Sequence, residues 1–127
     1  MRLLLDTHSL LWWLADDARL GDAARELIAD PANDVFVSTV SLWEIVVKVR
    51  IGKLAADIGE IAQAVDAQGL QLLDIGLAHL TGLAALPTHH RDPFDHLLIA
   101  QAIAEDLTFL TQDANAPAYP VTVISCA

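Results

Sequence analysis

The chain has 127 residues and a mass of 13.7 kDa, about one domain with no room for a second. Hydrophobic residues make up 54% and mean hydropathy is +0.44, which excludes a disordered chain. No apolar run reaches the roughly 18 residues of a membrane span, and a single cysteine, Cys126, excludes an intramolecular disulfide or a thiolate-rich metal site, so a cytoplasmic protein is expected. Seven Lys and Arg stand against 17 Asp and Glu, a formal charge of −10. Six of the cations face eight acids up to residue 53, and Arg91 alone faces nine acids after it. Such a chain cannot grip nucleic acid by a broad basic surface. A phosphate-bearing substrate would need a metal ion or a small basic patch, and the cluster Lys48, Arg50 and Lys53 reads either as that patch or as a solvated helix end.

In chain order, Arg2-Leu-Leu-Leu reads as a buried strand ending at Asp6, followed by a helix from Thr7 to about Ala15. Residues 22–30 have helical spacing, closed by Pro31. Val35-Phe-Val-Ser38 is a second strand. Leu42, Ile45, Val46 and Val49 recur at helical spacing, with Ser41 as a capping position, Ser41 and Glu44 at capping-box spacing, and Gly52 past the last turn. Ile58, Ile61, Ala62 and Val65 form another helix ending at Gly69, and residues 70–73 a third strand. A helix over 77–86 stops at Pro87. The loop Thr88-His-His-Arg91 leads into Asp92-Pro-Phe-Asp95, where Asp92 suits an N-cap and Pro93 the first helical position. Residues 96–104 are so uniformly apolar that their helix must be covered on most sides. Strands over 107–110 and 121–124 complete the chain.

Strands alternating with helices imply parallel pairing with right-handed crossovers, hence a three-layer α/β/α sandwich around a mainly parallel sheet, a single unit over residues 1–127. Sites in such folds lie at the carboxyl ends of the strands. Asp6 and Asp113 follow strands, Glu44 lies in a helix leaving one, and Asp95 lies in the first turn of the buried helix. Each has an ordinary role available: cap, turn residue, or i,i+4 partner of Lys48. Four carboxylates meeting at one place, however, cannot all ionise cheaply without a cation between them. Oxygen-only donors suit Mg²⁺ or Mn²⁺.

The blocks Leu3-Leu-Leu-Asp6-Thr7-His8, Val37-Ser-Thr-Val-Ser-Leu-Trp43-Glu44-Ile45, His90-Arg-Asp-Pro-Phe-Asp95 and Leu110-Thr111-Gln-Asp113, in this order, resemble the PIN-domain nucleases, and among them the toxins of VapBC type. The resemblance covers nearly the whole chain. It implies Mg²⁺-dependent cleavage of RNA, with Asp6, Glu44 and Asp95 as the acidic core and Asp113 as a fourth, more variable ligand; Thr7 and Thr111 fall at small hydroxyl positions near the metal. His96 departs from the pattern, since many relatives carry Arg after the second Asp of its block. Lys48, Arg50, Lys53, His90 and Arg91 become candidates for RNA contacts, and His8 and His89 for bases or phosphate contacts.

No serine has a convincing base partner, so covalent catalysis has no evident nucleophile. A receiver domain would need paired acids after the first strand and a late lysine, and a dehalogenase-like phosphatase a second Asp at position 8. Neither is present. The remaining alternative is a non-catalytic interaction module of the same fold. A homodimer and a cognate antitoxin are also expected: adjacent Trp12 and Trp13 point about 100° apart on a helix, so one of them would meet a partner or both would be buried between two layers.

Overall fold

The computed structural model describes residues 1–88 and 92–127; the expectations for His89, His90 and Arg91 lie outside the described residues. The central sheet contains β1 (Arg2–Leu5), β2 (Asp34–Ser38), β3 (Gln71–Leu73), β4 (Thr108–Thr111) and β5 (Val123–Ser125). All four pairings are parallel, in the order β3-β2-β1-β4-β5. The helices are α1 (Thr7–Leu14), α2 (Asp22–Ala29), α3 (Thr39–Arg50), α4 (Ile58–Ala67), α5 (Leu77–Ala85) and α6 (Pro93–Ala104). The last two strands sit one or two residues later than the sequence pattern suggested, because Leu107 and Val121 pack into the core from the approach to each strand.

A sheet covered on both faces needs apolar residues at successive positions rather than at alternate ones. In β1, Leu3 and Leu5 join one core with Val35, Val37 and Leu110, roofed by residues of α1 to α4 such as Leu10, Ile28, Ile45 and Val65. Leu4 faces the opposite core with Phe109, under Leu97, Leu98 and Ile99 of α6. All three leucines of β1 are fully buried, as a pleated strand with successive side chains on opposite faces requires. From β1 the chain winds outward through β2 to β3, then crosses back to place β4 on the other side of β1. The reversal between β1 and β4 opens a crevice at their carboxyl ends.

The cap of α3 differs from the expected box. Ser38, the last residue of β2, is the N-cap, and its hydroxyl accepts from the Val40 amide at 3.0 Å. Ser41 lies inside the helix and is buried. The strand ends at Ser38 and leaves no residue for a separate connection, so the helix begins earlier than the spacing of Ser41 and Glu44 suggested. At the other end Gly52 has φ +75°, a left-handed conformation that costs a side-chain-bearing residue about 1–2 kcal/mol. This turn lets the Lys53 amide donate to the Lys48 carbonyl at 2.9 Å and brings the following segment back along α3.

Trp12 is buried, and Trp13 packs partly buried against the same core. The exposed tryptophan is Trp43, 53% accessible, its ring edge-on to Phe94 at 4.9 Å. No described helix is long and apolar enough to cross a membrane.

Candidate active site at the carboxyl edge of the sheet

Asp6 leaves β1 and caps α1, its carboxylate fixed from three directions. Oδ1 accepts from the Ser9 amide at 2.7 Å and from the Ser9 hydroxyl at 2.6 Å. Oδ2 accepts from Thr111 Oγ1 at 2.7 Å. The Asp6 amide in turn donates to the Leu110 carbonyl at 3.1 Å. Asp6 is 4% exposed, so these donors compensate the burial of a charged group. Thr111 also accepts from the Asp113 amide at 3.0 Å, which couples the end of β4 to the end of β1 through one hydroxyl. Asp113 accepts from the Asn115 amide at 2.9 Å, in the turn role the sequence allowed.

Asp92 is the N-cap of α6, accepting from the amides of Phe94 at 2.9 Å and Asp95 at 3.2 Å. Asp95 stands one turn further in. Asp6, Asp92, Asp95 and Asp113 line one cavity of about 330 Å³ with His8 and Gln112. Burial, followed by the charges of Asp92, Asp6, Asp113 and Glu44, pushes the Asp95 carboxyl up to about 8. A helix N-terminus favours an ionised acid, so the crowding here outweighs the helix's own field. Among the described residues, no three potential ligands are gathered around a single point. The acids border the cavity rather than close on its centre.

Glu44 is brought to the same edge but faces the neighbouring cleft. Its Oε1 accepts from Thr7 Oγ1 at 2.6 Å, and Ser41 Oγ lies 3.1 Å from that hydroxyl. Its Oε2 pairs with Lys48 Nζ at 2.9 Å. The hydrogen bond to Glu44 and then its charge hold the Lys48 ammonium above its usual range, against desolvation. The second cleft, about 420 Å³, is lined by Thr7, His8, Trp12, Arg19, Glu44, Lys48 and Lys53 among others. Of the candidate RNA contacts, Lys48 and Lys53 therefore lie beside the acids, whereas Arg50 is exposed and borders neither cavity. His96 is half-buried with its ring 6.1 Å from that of Tyr119, and it also borders neither.

Sequence reasoning passed over Ser9 and assigned Asp92 to capping alone. Asp6 and Ser9 stand at N-cap and N3 spacing, which signals the hydrogen bond but not its use in orienting an acid. Asp92 contributes both a cap and a further negative charge to the cavity wall.

The oxygens available suit a hard divalent cation in kind, and their mutual repulsion raises the affinity such a charge would find.

Among solved structures, the fold is similar to VapBC2 from Rickettsia felis bound to a promoter DNA fragment, with TM-score 0.74, 18% identity and full coverage of both chains. It is similar to DNA-bound VapBC from Salmonella typhimurium, with TM-score 0.72, 13% identity and coverage of 100% of this chain and 99% of that one. VapBC-5 of Mycobacterium tuberculosis matches with TM-score 0.57 and 23% identity over 98% of this chain and 96% of that one. No curated protein matches by sequence. The PIN domain matches residues 3–121, which carry β1 from its second residue, β2 to β4 and the acidic edge and stop short of β5, and the chain belongs to the PIN domain family.

Proposed function

We propose that the chain is a Mg²⁺-dependent endoribonuclease, with Mn²⁺ able to substitute, and the toxin of a toxin–antitoxin pair. The observation that carries this reading is the group of aspartates bordering one cavity at the β1/β4 reversal, where burial and the neighbouring negative charges push the Asp95 carboxyl upward. Asp6, Asp95 and Asp113 would hold the ion, with Glu44 reached from the adjoining cleft. When bound, such an ion supplies an acidified water and positive charge opposite a phosphodiester. The chain's own residues do the rest: Ser9 and Thr111 orient Asp6, Thr7 and Lys48 fix the Glu44 carboxylate by a hydrogen bond and an ion pair, and Asp95 would offer its carboxylate from the first turn of α6. Cys126 is fully buried, so no thiol serves as a nucleophile.

The test is cleavage of total RNA by the purified protein. Activity in Mg²⁺, loss in EDTA and recovery on adding Mg²⁺ or Mn²⁺ are expected, with fragment ends mapped to find the bond cut. Undiminished turnover in EDTA would remove the metal from the reading.

A cognate antitoxin is proposed as the protein partner, supported by the VapBC complexes that share the fold. Self-association is proposed too. Leu72, Ile75, Leu77, Leu80 and Ile103 are all exposed around α5, a concentration of apolar side chains unusual for a lone surface. Light scattering at micromolar concentration should give twice the mass of the chain, and a monomer there would exclude the dimer.

A further inference from the structure

The cationic cleft beside the acids is a local reversal of sign. Six of the seven Lys and Arg lie among the described residues, and three of them, Arg19, Lys48 and Lys53, line this one cleft. The only acid in its lining is Glu44, whose two oxygens are taken by Thr7 and Lys48. Most cations are paired locally: Arg19 with Asp17 at 2.8 Å and Lys48 with Glu44 at 2.9 Å in the cleft itself, and Arg25 with Asp16 outside it, while Arg2 donates to the Glu105 carbonyl. Among the described residues Lys53 makes no ion pair and is exposed, at the mouth where the Gly52 turn delivers it.

His8 joins the two spaces. It is exposed, lines both the acidic cavity and the cationic cleft, and its ring stacks on the buried Trp12 ring at 5.8 Å with 30° between planes. An exposed ring backed by a fixed one is a stacking surface of the sort single-stranded nucleic acids use, and adjacent cations track the backbone.

We propose that the cleft between α1, α3 and the segment after Gly52 holds the nucleotide next to the scissile bond, its phosphate on Lys48 and Lys53 and its base on His8. This inference rests on the ribonuclease reading above. It makes His8 and Lys53 positioning residues and places Arg50 outside the strand's path. A strand so placed passes from positive cleft to acidic cavity in one step, which presents the following phosphate to the acids while its neighbour is neutralised.

The experiment measures binding of a labelled, mixed-sequence single-stranded RNA by fluorescence anisotropy in the Asp95→Asn background in Mg²⁺, over a series of KCl concentrations. Steady-state cleavage is measured with Asp95 present. Lys53→Ala should weaken binding several-fold and reduce the slope of log affinity against log salt by about 0.7, the value for one phosphate contact on a single strand. His8→Ala should weaken it about ten-fold, and His8→Phe should restore most of the loss. In the cleavage assay both alanine variants should raise KM with kcat little changed. Arg2→Gln removes an equal charge at the opposite end of the sheet and should change neither. If the parent binds and cleaves RNA while Lys53→Ala and His8→Ala bind it as the parent does, the cleft is overturned and the nuclease reading stands. Equal losses in Arg2→Gln and Lys53→Ala would overturn it as well, by showing a diffuse charge effect. A parent that neither binds nor cleaves RNA overturns the nuclease reading and the cleft together.

Discussion

Asp92 and Asp95 stand three residues apart, yet the structure gives them separable physics. Asp92 caps α6 through two amides, and Asp92→Ala should cost about 1 kcal/mol of stability. Asp92→Asn keeps an acceptor for those amides and removes only the charge, so it should leave stability nearly unchanged while lowering the Asp95 carboxyl from its present value of about 8. Asp95→Asn should remove most RNA cleavage and most stabilisation by Mg²⁺. The sign of the pH effect follows from the raised carboxyl. In the unfolded chain Asp95 ionises near its ordinary value of 3.8, and in the folded chain near 8. Its contribution to folding is therefore complete below about pH 4 and is lost as pH rises towards 8. Melting temperatures of the metal-free protein should fall across that window, and the fall should be shallower in Asp95→Asn. An equally steep fall in that variant would assign the pH dependence to other groups. At this scale the acids themselves were legible in the sequence, because each follows a strand, opens a helix or lies in a helix leaving a strand, and the Glu44–Lys48 pair was open at i,i+4 spacing. What was not legible is which oxygen faces which space: Glu44 turns to Thr7 in the neighbouring cleft because that partner comes from α1, a choice only tertiary packing makes.

The elements were legible where apolar periodicity was strong and blurred where two capping residues competed. α6 needed covering on most sides, and its residues 97–102 are all buried. Ser41 was the expected start of α3, whereas the observed cap is Ser38, whose hydroxyl also donates to Oε1 of Gln101, a buried residue of α6. Gln101 Nε2 also lies 3.3 Å from Nδ1 of His79, and His79 Nε2 lies 2.8 Å from Glu105. This buried polar line ties α5 and α6 to the start of the helix that carries Glu44 and Lys48. No local pattern announces it, since its successive links span 63, 22 and 26 residues. Ser38→Ala removes the cap and leaves a buried amide oxygen without its donor, so it should destabilise the fold by about 1–3 kcal/mol. Ser41→Ala should cost less than Ser38→Ala in the same thermal melts; the reverse order would restore Ser41 as the cap.

At the scale of the whole molecule, net charge was a sound guide to what the surface cannot do and a poor guide to where its few cations go. The sum of −10 conceals a cleft with three cations and one acid in its lining. It forms because the Gly52 turn folds Lys53 back towards α1, and that return is a property of topology rather than composition. The strand order has a comparable reach in time. β1 spans Arg2–Leu5, and one of its two neighbours, β4, begins only at Thr108. Asp6 obtains both the amide acceptor at Leu110 and the hydroxyl donor at Thr111 only from that late strand. Pairing so distant in sequence is slow to form and contributes nothing until the loop is closed. Until that strand is made, then, the chain can form its helices and β1 to β3 but has no assembled acidic edge. A fragment ending before Thr108 should show helical circular dichroism without a cooperative melt or a response to Mg²⁺. A nuclease of the kind proposed would therefore gain its acidic edge in a single late event, the docking of the strand that begins at Thr108 against β1.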